Sequence, residues 1–394
     1  MHLKSLIFHE HENTPTYWAM QKISFGDITL LVGKNSSGKS RVLNVITALA
    51  GLISGRMGGF QSGTWEANFS RPKGEADEKQ SYKVSIVKGR VVEEFFRIKG
   101  VNVLRRDETG DGFVLKRNGS KVQYKVDAAQ LMAVARSDAY QHPQFEHLKK
   151  WAQGACTYRF GSEFGKTTFS GLTPVSSDPA EILDVGGLTD NVGQVYGLTH
   201  ARFQSKYRDA VVDDMRAIGY EVDDVKLVPL GVFSVNGASP MSLAVKERSV
   251  KCYVGQDSMS QGMYRALAII VQFNANVFWT RSRMVGREPR LGDSPLLLID
   301  DIGEGLDHER SKKLIQLLVD RALENKIQLI MSSNDRYVMN YVSLDYWAVL
   351  RRKGSIVQVI DNSNSKEEFE EFSYSGLSNF DFFSGDHYVK GDPV

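Results

Sequence analysis

Gly33-Lys34-Asn35-Ser36-Ser37-Gly38-Lys39-Ser40 decides how this 394-residue chain is read. The stretch has the form G-x-x-x-x-G-K-S. Ile28-Thr29-Leu30-Leu31-Val32 precedes it, apolar and β-branched, and predicts a buried strand. Arg41-Val42-Leu43-Asn44-Val45-Ile46-Thr47-Ala48-Leu49 follows, with apolar residues at helical spacing. Strand, glycine loop and helix together make the pattern a phosphate-binding P-loop. Gly33 and Gly38 let the backbone curl so that successive N–H groups face a β-phosphate. The helix beginning near Lys39 adds the partial positive charge of its N-terminus. Lys39 is expected to reach the β- and γ-phosphates, and the Ser40 hydroxyl to ligate Mg²⁺. Asn35, Ser36, Ser37 and Arg41 complete the expected nucleotide-contacting set.

A second stretch supplies the acids. Leu296-Leu297-Leu298-Ile299-Asp300-Asp301 is an apolar run ending in two carboxylates. It reads as a buried parallel strand that delivers acids at its C-terminal end. Asp300 is placed to hold the Mg²⁺ shell, and Asp301 to orient or deprotonate an attacking water.

With these residues in order, the sequence resembles the ABC-type ATPases, the group that includes RecF, SMC and Rad50 proteins. Asp300-Asp301-Ile302-Gly303-Glu304-Gly305-Leu306-Asp307 matches their Walker B and D-loop in register. Ser258-Met259-Ser260-Gln261-Gly262, followed by the apolar run Met263–Val271, fits their signature motif. The resemblance implies ATP with Mg²⁺ and a head-to-tail dimer that sandwiches two nucleotides. Lys39 and Ser40 of one chain would face Ser260 and Gly262 of the other, and Asp307 would join the nucleotide-contacting set. It also implies a glutamine loop, for which Gln130 is the candidate metal contact, and a switch residue after the strand Ile327–Asn334. There the family has histidine and this chain has Asn334; after the Walker B acid it has Glu, and this chain has Asp301. Asp is one methylene shorter than Glu, and Asn cannot carry a proton as histidine can. Both departures predict slow turnover, with Asp301, Lys39 and Asn334 as the catalytic set.

The rest of the chain narrows the branch. Hydrophobic residues are 42% and charged residues 24%, ordinary for a soluble globular protein, and the formal net charge is +2. Cys156 and Cys252 form no C-x-x-C pair, which argues against a zinc site or disulfide framework and fits a reducing cytoplasm. No apolar run reaches the length of a membrane helix, and the N-terminus does not read as a signal peptide. His9 and His11 lack metal partners at a recognised spacing. The gap from Lys39 to Ser260 is about twice that of transporter ATPases, and no sustained heptads mark a long coiled-coil arm.

The expected fold is α/β: an ABC-type P-loop ATPase head with an inserted antiparallel β and helical region. Residues 1–80 would form its first part. Residues 81–225 would form the β lobe and helical insertion, residues 226–360 the signature, Walker B and D-loop part, and residues 361–394 a tail. Within the insertion, 80–126 reads as antiparallel β with turns at Asp111-Gly112 and Asn118-Gly119. Asp127–Ala139, Gln144–Gln153 and Leu198–Ile218 read as helices, and Thr167–Asn191 as loop. Phe380-Asp381-Phe382-Phe383 in the tail reads as docking back on the domain, with a partner-binding peptide as the alternative.

The compact head resembles RecF/OLD-like ATPases, many of them ATPase subunits of bacterial anti-phage systems such as Septu, PARIS and retron-associated ATPases. It implies a cytoplasmic homodimer or higher homo-oligomer working with a separate nuclease or toxin, since only a short tail stands where a Toprim domain would follow. A RecF-like DNA-binding repair ATPase is the alternative. Its candidate nucleic-acid contacts are Arg105-Arg106, Lys149-Lys150, Arg281 with Arg283, Arg287 and Arg290, and Arg351-Arg352-Lys353. The third reading is a nucleotide-regulated scaffold that barely hydrolyses.

Overall fold

Ile28–Val32 forms the predicted strand and lies in the parallel part of a large sheet. The computed structural model describes residues 1–57, 62–70, 79–135, 140–159 (backbone alone at 159), 191–229, 240–284 (backbone alone at 283 and 284) and 295–388. The strands are β1 (His2–Glu10), β2 (Trp18–Ser24), β3 (Ile28–Val32), β4 (Ser62–Ser70), β5 (Gln80–Val87), β6 (Arg90–Ile98), β7 (Val101–Arg106), β8 (Asp111–Leu115) and β9 (Lys121–Lys125). They continue as β10 (Ala155–Arg159), β11 (Val222–Pro229), β12 (Met241–Glu247), β13 (Tyr253–Gly255), β14 (Leu296–Asp300), β15 (Gln328–Ser333), β16 (Trp347–Lys353) and β17 (Ile356–Asp361).

Among the described residues, 14 strands join in the order β10-β14-β15-β3-β16-β17-β2-β1-β4-β5-β6-β7-β8-β9. The first five run parallel, and from β1 to β9 every pairing is antiparallel. β11, β12 and β13 make a separate small sheet. Both faces of the parallel strands are covered, which is why their sequences are continuously apolar rather than alternating. Leu31, Leu296 and Leu298 pack with the helix Lys39–Ser54 on one face. Leu30, Val32, Leu297 and Ile299 pack with the helices Val192–Ala217, Gln261–Met284 and His308–Glu324 on the other.

The expected P-loop strand and helix, Walker B strand and antiparallel lobe all form. β4 and β10 are additions that the sequence pattern did not show. Of the helix expected over Asp127–Ala139, a short turn of helix forms at Met132–Ala135, and 136–139 lie outside the described residues. Its first amide groups are held by the lobe: Met132 and Ala133 donate to the buried Glu94 carboxylate of β6. Asn118-Gly119 turns as expected, with Gly119 at φ 81°. Asp111-Gly112 does not; the chain reverses one step earlier, with Gly110 at φ 84°. Gly112 instead permits close approach, since a Cβ there would lie 2.2 Å from the Arg105 carbonyl oxygen. The expected loop at Thr167–Asn191 falls outside the described residues except at Asn191, which caps the helix Val192–Ala217.

The aromatic tail docks. Phe382 is fully buried against Trp347, Phe369 and Phe372. Among the described residues no helix is long and apolar enough to cross a membrane.

Candidate functional site

Parallel register places the chemistry at one edge of the sheet. Ser333 pairs with Val32, so β15 and β3 end level, while β16, whose Val349 pairs with Val32, continues to Lys353. Next to β15, β14 ends in Asp300. The P-loop, the two acids and Asn334 therefore leave from the carboxyl ends of adjacent strands, where open α/β sheets bind ligands.

The P-loop is built as its sequence requires. Ser36 and Gly38 take positive φ values of 65° and 107°, alternating the backbone direction. Gly33 cannot carry a side chain, because a Cβ would meet Ser37 Oγ at 2.3 Å and the Leu350 carbonyl oxygen at 2.8 Å. Lys39 is buried and folds over the loop, its Nζ donating to the carbonyl oxygens of Gly33 at 2.7 Å and Lys34 at 3.4 Å. Burial pushes the Lys39 pKa down, while Asp301 and Asp300 pull it back up.

Ser332 organises the acids. Its hydroxyl donates to Asp300 Oδ1 and accepts the Asp301 N–H at 2.9 Å. Asp301 is half-buried at φ 49°, a backbone region unfavourable to a non-glycine residue. Burial raises its pKa and the neighbouring Asp300 raises it further; Lys39 opposes both. Asn334 Nδ2 donates to Asn35 Oδ1 at 2.9 Å, so the switch position touches the P-loop directly.

The signature motif caps a helix, as expected. Ser260 Oγ accepts the Met263 N–H at 3.2 Å at the start of Gln261–Met284. Gly262 packs on the D-loop: a Cβ there would lie 2.4 Å from the Gly305 carbonyl oxygen. Asp307 caps the helix His308–Glu324, accepting the Arg310 N–H at 3.0 Å, and that bond holds its pKa down. Arg41 lies over the Trp18 ring at 4.2 Å and pairs with Glu10, which ties it to the β1–β2 hairpin.

Gln130 is not brought to this site. It lines a mainly apolar pocket with Leu52, Gly55 and Met57 beyond the C-terminal end of the P-loop helix, whose N-terminal residue is Lys39. Sixteen residues of helix span about 24 Å, so Gln130 sits well away from the phosphate loop. The unforeseen strand β10, by contrast, does reach the Walker B strand. Its last residue, Arg159, pairs with Asp300, so the chain leaving β10 starts beside Walker B, and residues 160–190 lie outside the described set.

Two further residues escaped the sequence reading. Arg265 is a buried cation in the otherwise apolar Met263–Val271 run, and that incongruity was its signal. Ser332 sits in a fully buried strand where its hydroxyl has no apolar reason to be.

The donor set fits a nucleotide with a divalent cation. Ser37 Oγ is a buried polar atom with no hydrogen-bond partner, turned toward the loop interior. Ser40 is exposed at the first turn of the helix. No cluster of three or more His, Cys, Asp or Glu that could hold an ion by itself occurs among the described residues. That sparse set suits Mg²⁺, which is commonly held by one or two carboxylates plus phosphate oxygens.

No protein-family model matches the chain, and no curated protein matches it in sequence. Solved structures do match in fold. An Smc head bound to the C-terminal winged-helix domain of ScpA superposes at TM-score 0.51 and 14% identity, covering 91% of this chain and 98% of that one. An Smc head from Pyrococcus furiosus with an extended coiled coil, bound to the C-terminal domain of ScpA, gives TM-score 0.50 and 13% identity, covering 94% and 99%. The expected α/β head architecture is thus borne out: the chain has the fold of an Smc head domain.

Proposed function

We propose that this chain binds and slowly hydrolyses ATP with Mg²⁺, and that two copies close head-to-tail over two nucleotides. The convergence of Lys39, Asp300, Asp301 and Asn334 on one strand edge carries this reading. Lys39 and the loop N–H groups would hold the phosphates, and Ser40 and Asp300 the cation. The cation would neutralise charge on the transferring phosphoryl group. Asp301 would orient the water, held by Ser332 and carrying a pKa raised toward base catalysis. Asn334 can donate to a phosphate oxygen but cannot relay a proton, which favours slow turnover. Ser260 is exposed at a helix N-terminus, the kind of surface that takes an anion from a partner copy.

The finer reading is a cytoplasmic ATPase and sensor-scaffold subunit of a bacterial anti-phage complex, working with a separate nuclease or toxin. Resemblance to compact RecF/OLD-like heads supports it. The ScpA-bound Smc heads supply a precedent for a head that carries a separate protein partner. The RecF-like DNA-binding alternative loses one expected contact, because Arg106 is buried and donates to the carbonyl oxygens of Gln130 and Asp127.

The test is steady-state hydrolysis by the wild-type chain and Lys39→Ala, with mass measured with and without ATP. Lysine-dependent turnover below about 10 s⁻¹, the ordinary enzyme median, and ATP-driven dimers are expected. Turnover that survives loss of Lys39 would refute the site.

A further inference from the structure

We infer that Arg265 is a positioning residue that locks the signature helix to the Walker B turn and so links occupancy of one nucleotide site to the geometry of the other. The inference rests on Asp301 being the water-orienting residue. Arg265 projects from the second turn of the signature helix, and its side chain is 5% exposed. One guanidinium nitrogen donates to the Asp301 carbonyl oxygen at 2.6 Å, and another to Glu304 Oε2 at 2.8 Å. It therefore grips both ends of the turn Asp301–Glu304.

That turn needs holding. Asp301 sits at positive φ, and its carbonyl otherwise receives the Glu304 N–H at a long 3.4 Å. Gly303 and Gly305 also take positive φ, at 94° and 78°. Next to it, Gly262 rests on Gly305, so the first turn of the signature helix and the D-loop touch backbone to backbone. Push the helix N-terminus, and the turn carrying Asp301 moves with it. In the proposed head-to-tail dimer, on which the inference also rests, a phosphate bound by Ser260 and Gly262 would belong to the partner's nucleotide, whereas Asp301 would serve this protomer's own. Arg265 thus makes one protomer's catalytic carboxylate report on the nucleotide held across the interface. Lysine could satisfy one of the two acceptors but not both, because the guanidinium presents forked donors.

The experiment compares the full chain with Arg265→Met and Arg265→Lys. Methionine keeps much of the volume, and the carboxylate it leaves unpaired, Glu304, is 55% exposed and so stays hydrated. Three quantities are read: kcat, affinity for mant-ATP, and amide exchange of the segment 301–306 in nucleotide-free protein. Arg265→Met is expected to speed exchange in 301–306, to lower kcat about 10- to 100-fold, and to leave mant-ATP affinity within about twofold. Arg265→Lys is expected to recover part of kcat. Unchanged exchange in Arg265→Met overturns the inference, as does mant-ATP affinity falling in step with kcat, which would mark a merely structural role. Full turnover by Lys39→Ala would refute the proposed function instead, and the exchange measurement would still decide the clamp.

Discussion

Replacing Gly262 with alanine isolates the contact between signature and D-loop. Gly262 lies in the first turn of its helix, where its φ does not exclude a side chain. Alanine should therefore gain up to about 1 kcal/mol of local helix propensity. The added Cβ, however, would sit 2.4 Å from the Gly305 carbonyl oxygen, where ordinary contact begins at 3.4 Å. The obstruction is backbone, so it cannot rotate away; helix and D-loop must separate by about 1 Å. A displacement of that size at a reacting centre costs about 100-fold in rate, or about 2.7 kcal/mol in the barrier. In folding stability the propensity gain opposes an overpacking cost of about 1–3 kcal/mol, so a small net loss is expected. Gly262→Ala should keep mant-ATP affinity, which is set at the P-loop, and lose turnover and ATP-driven dimerisation. Steady-state hydrolysis, mant-ATP titration and mass with ATP would read the three quantities. Wild-type turnover and dimerisation in this variant would refute the coupling of signature to D-loop.

Asp301→Asn should lower kcat about 10²- to 10⁴-fold, the ordinary weight of a positioned base, with mant-ATP binding kept; an unchanged rate in a hydrolysis assay would remove Asp301 from the chemistry. Glu94→Ala should cost about 3–5 kcal/mol in urea unfolding, because Met132, Ala133 and Tyr82 lose their acceptor and Arg106 loses a neighbouring opposite charge. Burial raises the Glu94 pKa, so the unfolded chain releases that proton at lower pH than the folded one. Its contribution to stability should therefore fall as pH rises from the ordinary glutamate range through the raised folded value, and Glu94→Gln should flatten that slope. Phe382→Ala should cost about 3–5 kcal/mol of tail docking, read as faster proteolysis within 366–388.

How much of this was legible follows from the range of the interactions. The P-loop, Walker B strand and switch strand are local: short apolar runs and a fixed glycine pattern specify them; β3 forms at its expected bounds and β14 stops at Asp300, one residue short of Asp301. β4 was missed although Trp65, Ala67 and Phe69 alternate with Thr64, Glu66 and Asn68 at the strand period, because the glycines beside it read as breakers and its partner β1 lies far back along the chain. β10 was hidden for a related reason. Ala155-Cys156-Thr157-Tyr158-Arg159 follows a helix after a single glycine, and what makes it a strand is pairing with Leu296–Asp300, across a long stretch of chain. The Asp111-Gly112 error has a local cause: a glycine can mark a turn or a close approach, and only the Arg105 carbonyl reveals which.

The site divides along the same line. Residues that touch a nucleotide are written as motifs because ligand geometry fixes their spacing. Residues that hold those motifs against one another are not, since any fold-specific pair can do it. Ser332 joins β15 to the Walker B acids, Asn334 joins the switch position to Asn35, and Arg265 joins the signature helix to the turn after Walker B. All three contacts cross between elements, and two of them end on Asp301. The residue with the strained backbone and the raised pKa is thus also the one most constrained from outside its own strand. Strain at such a position persists only where its surroundings over-determine it. Loosening the contacts that end on Asp301 should therefore disturb hydrolysis before it disturbs nucleotide binding, which rests chiefly on Lys39, Ser40 and the loop backbone.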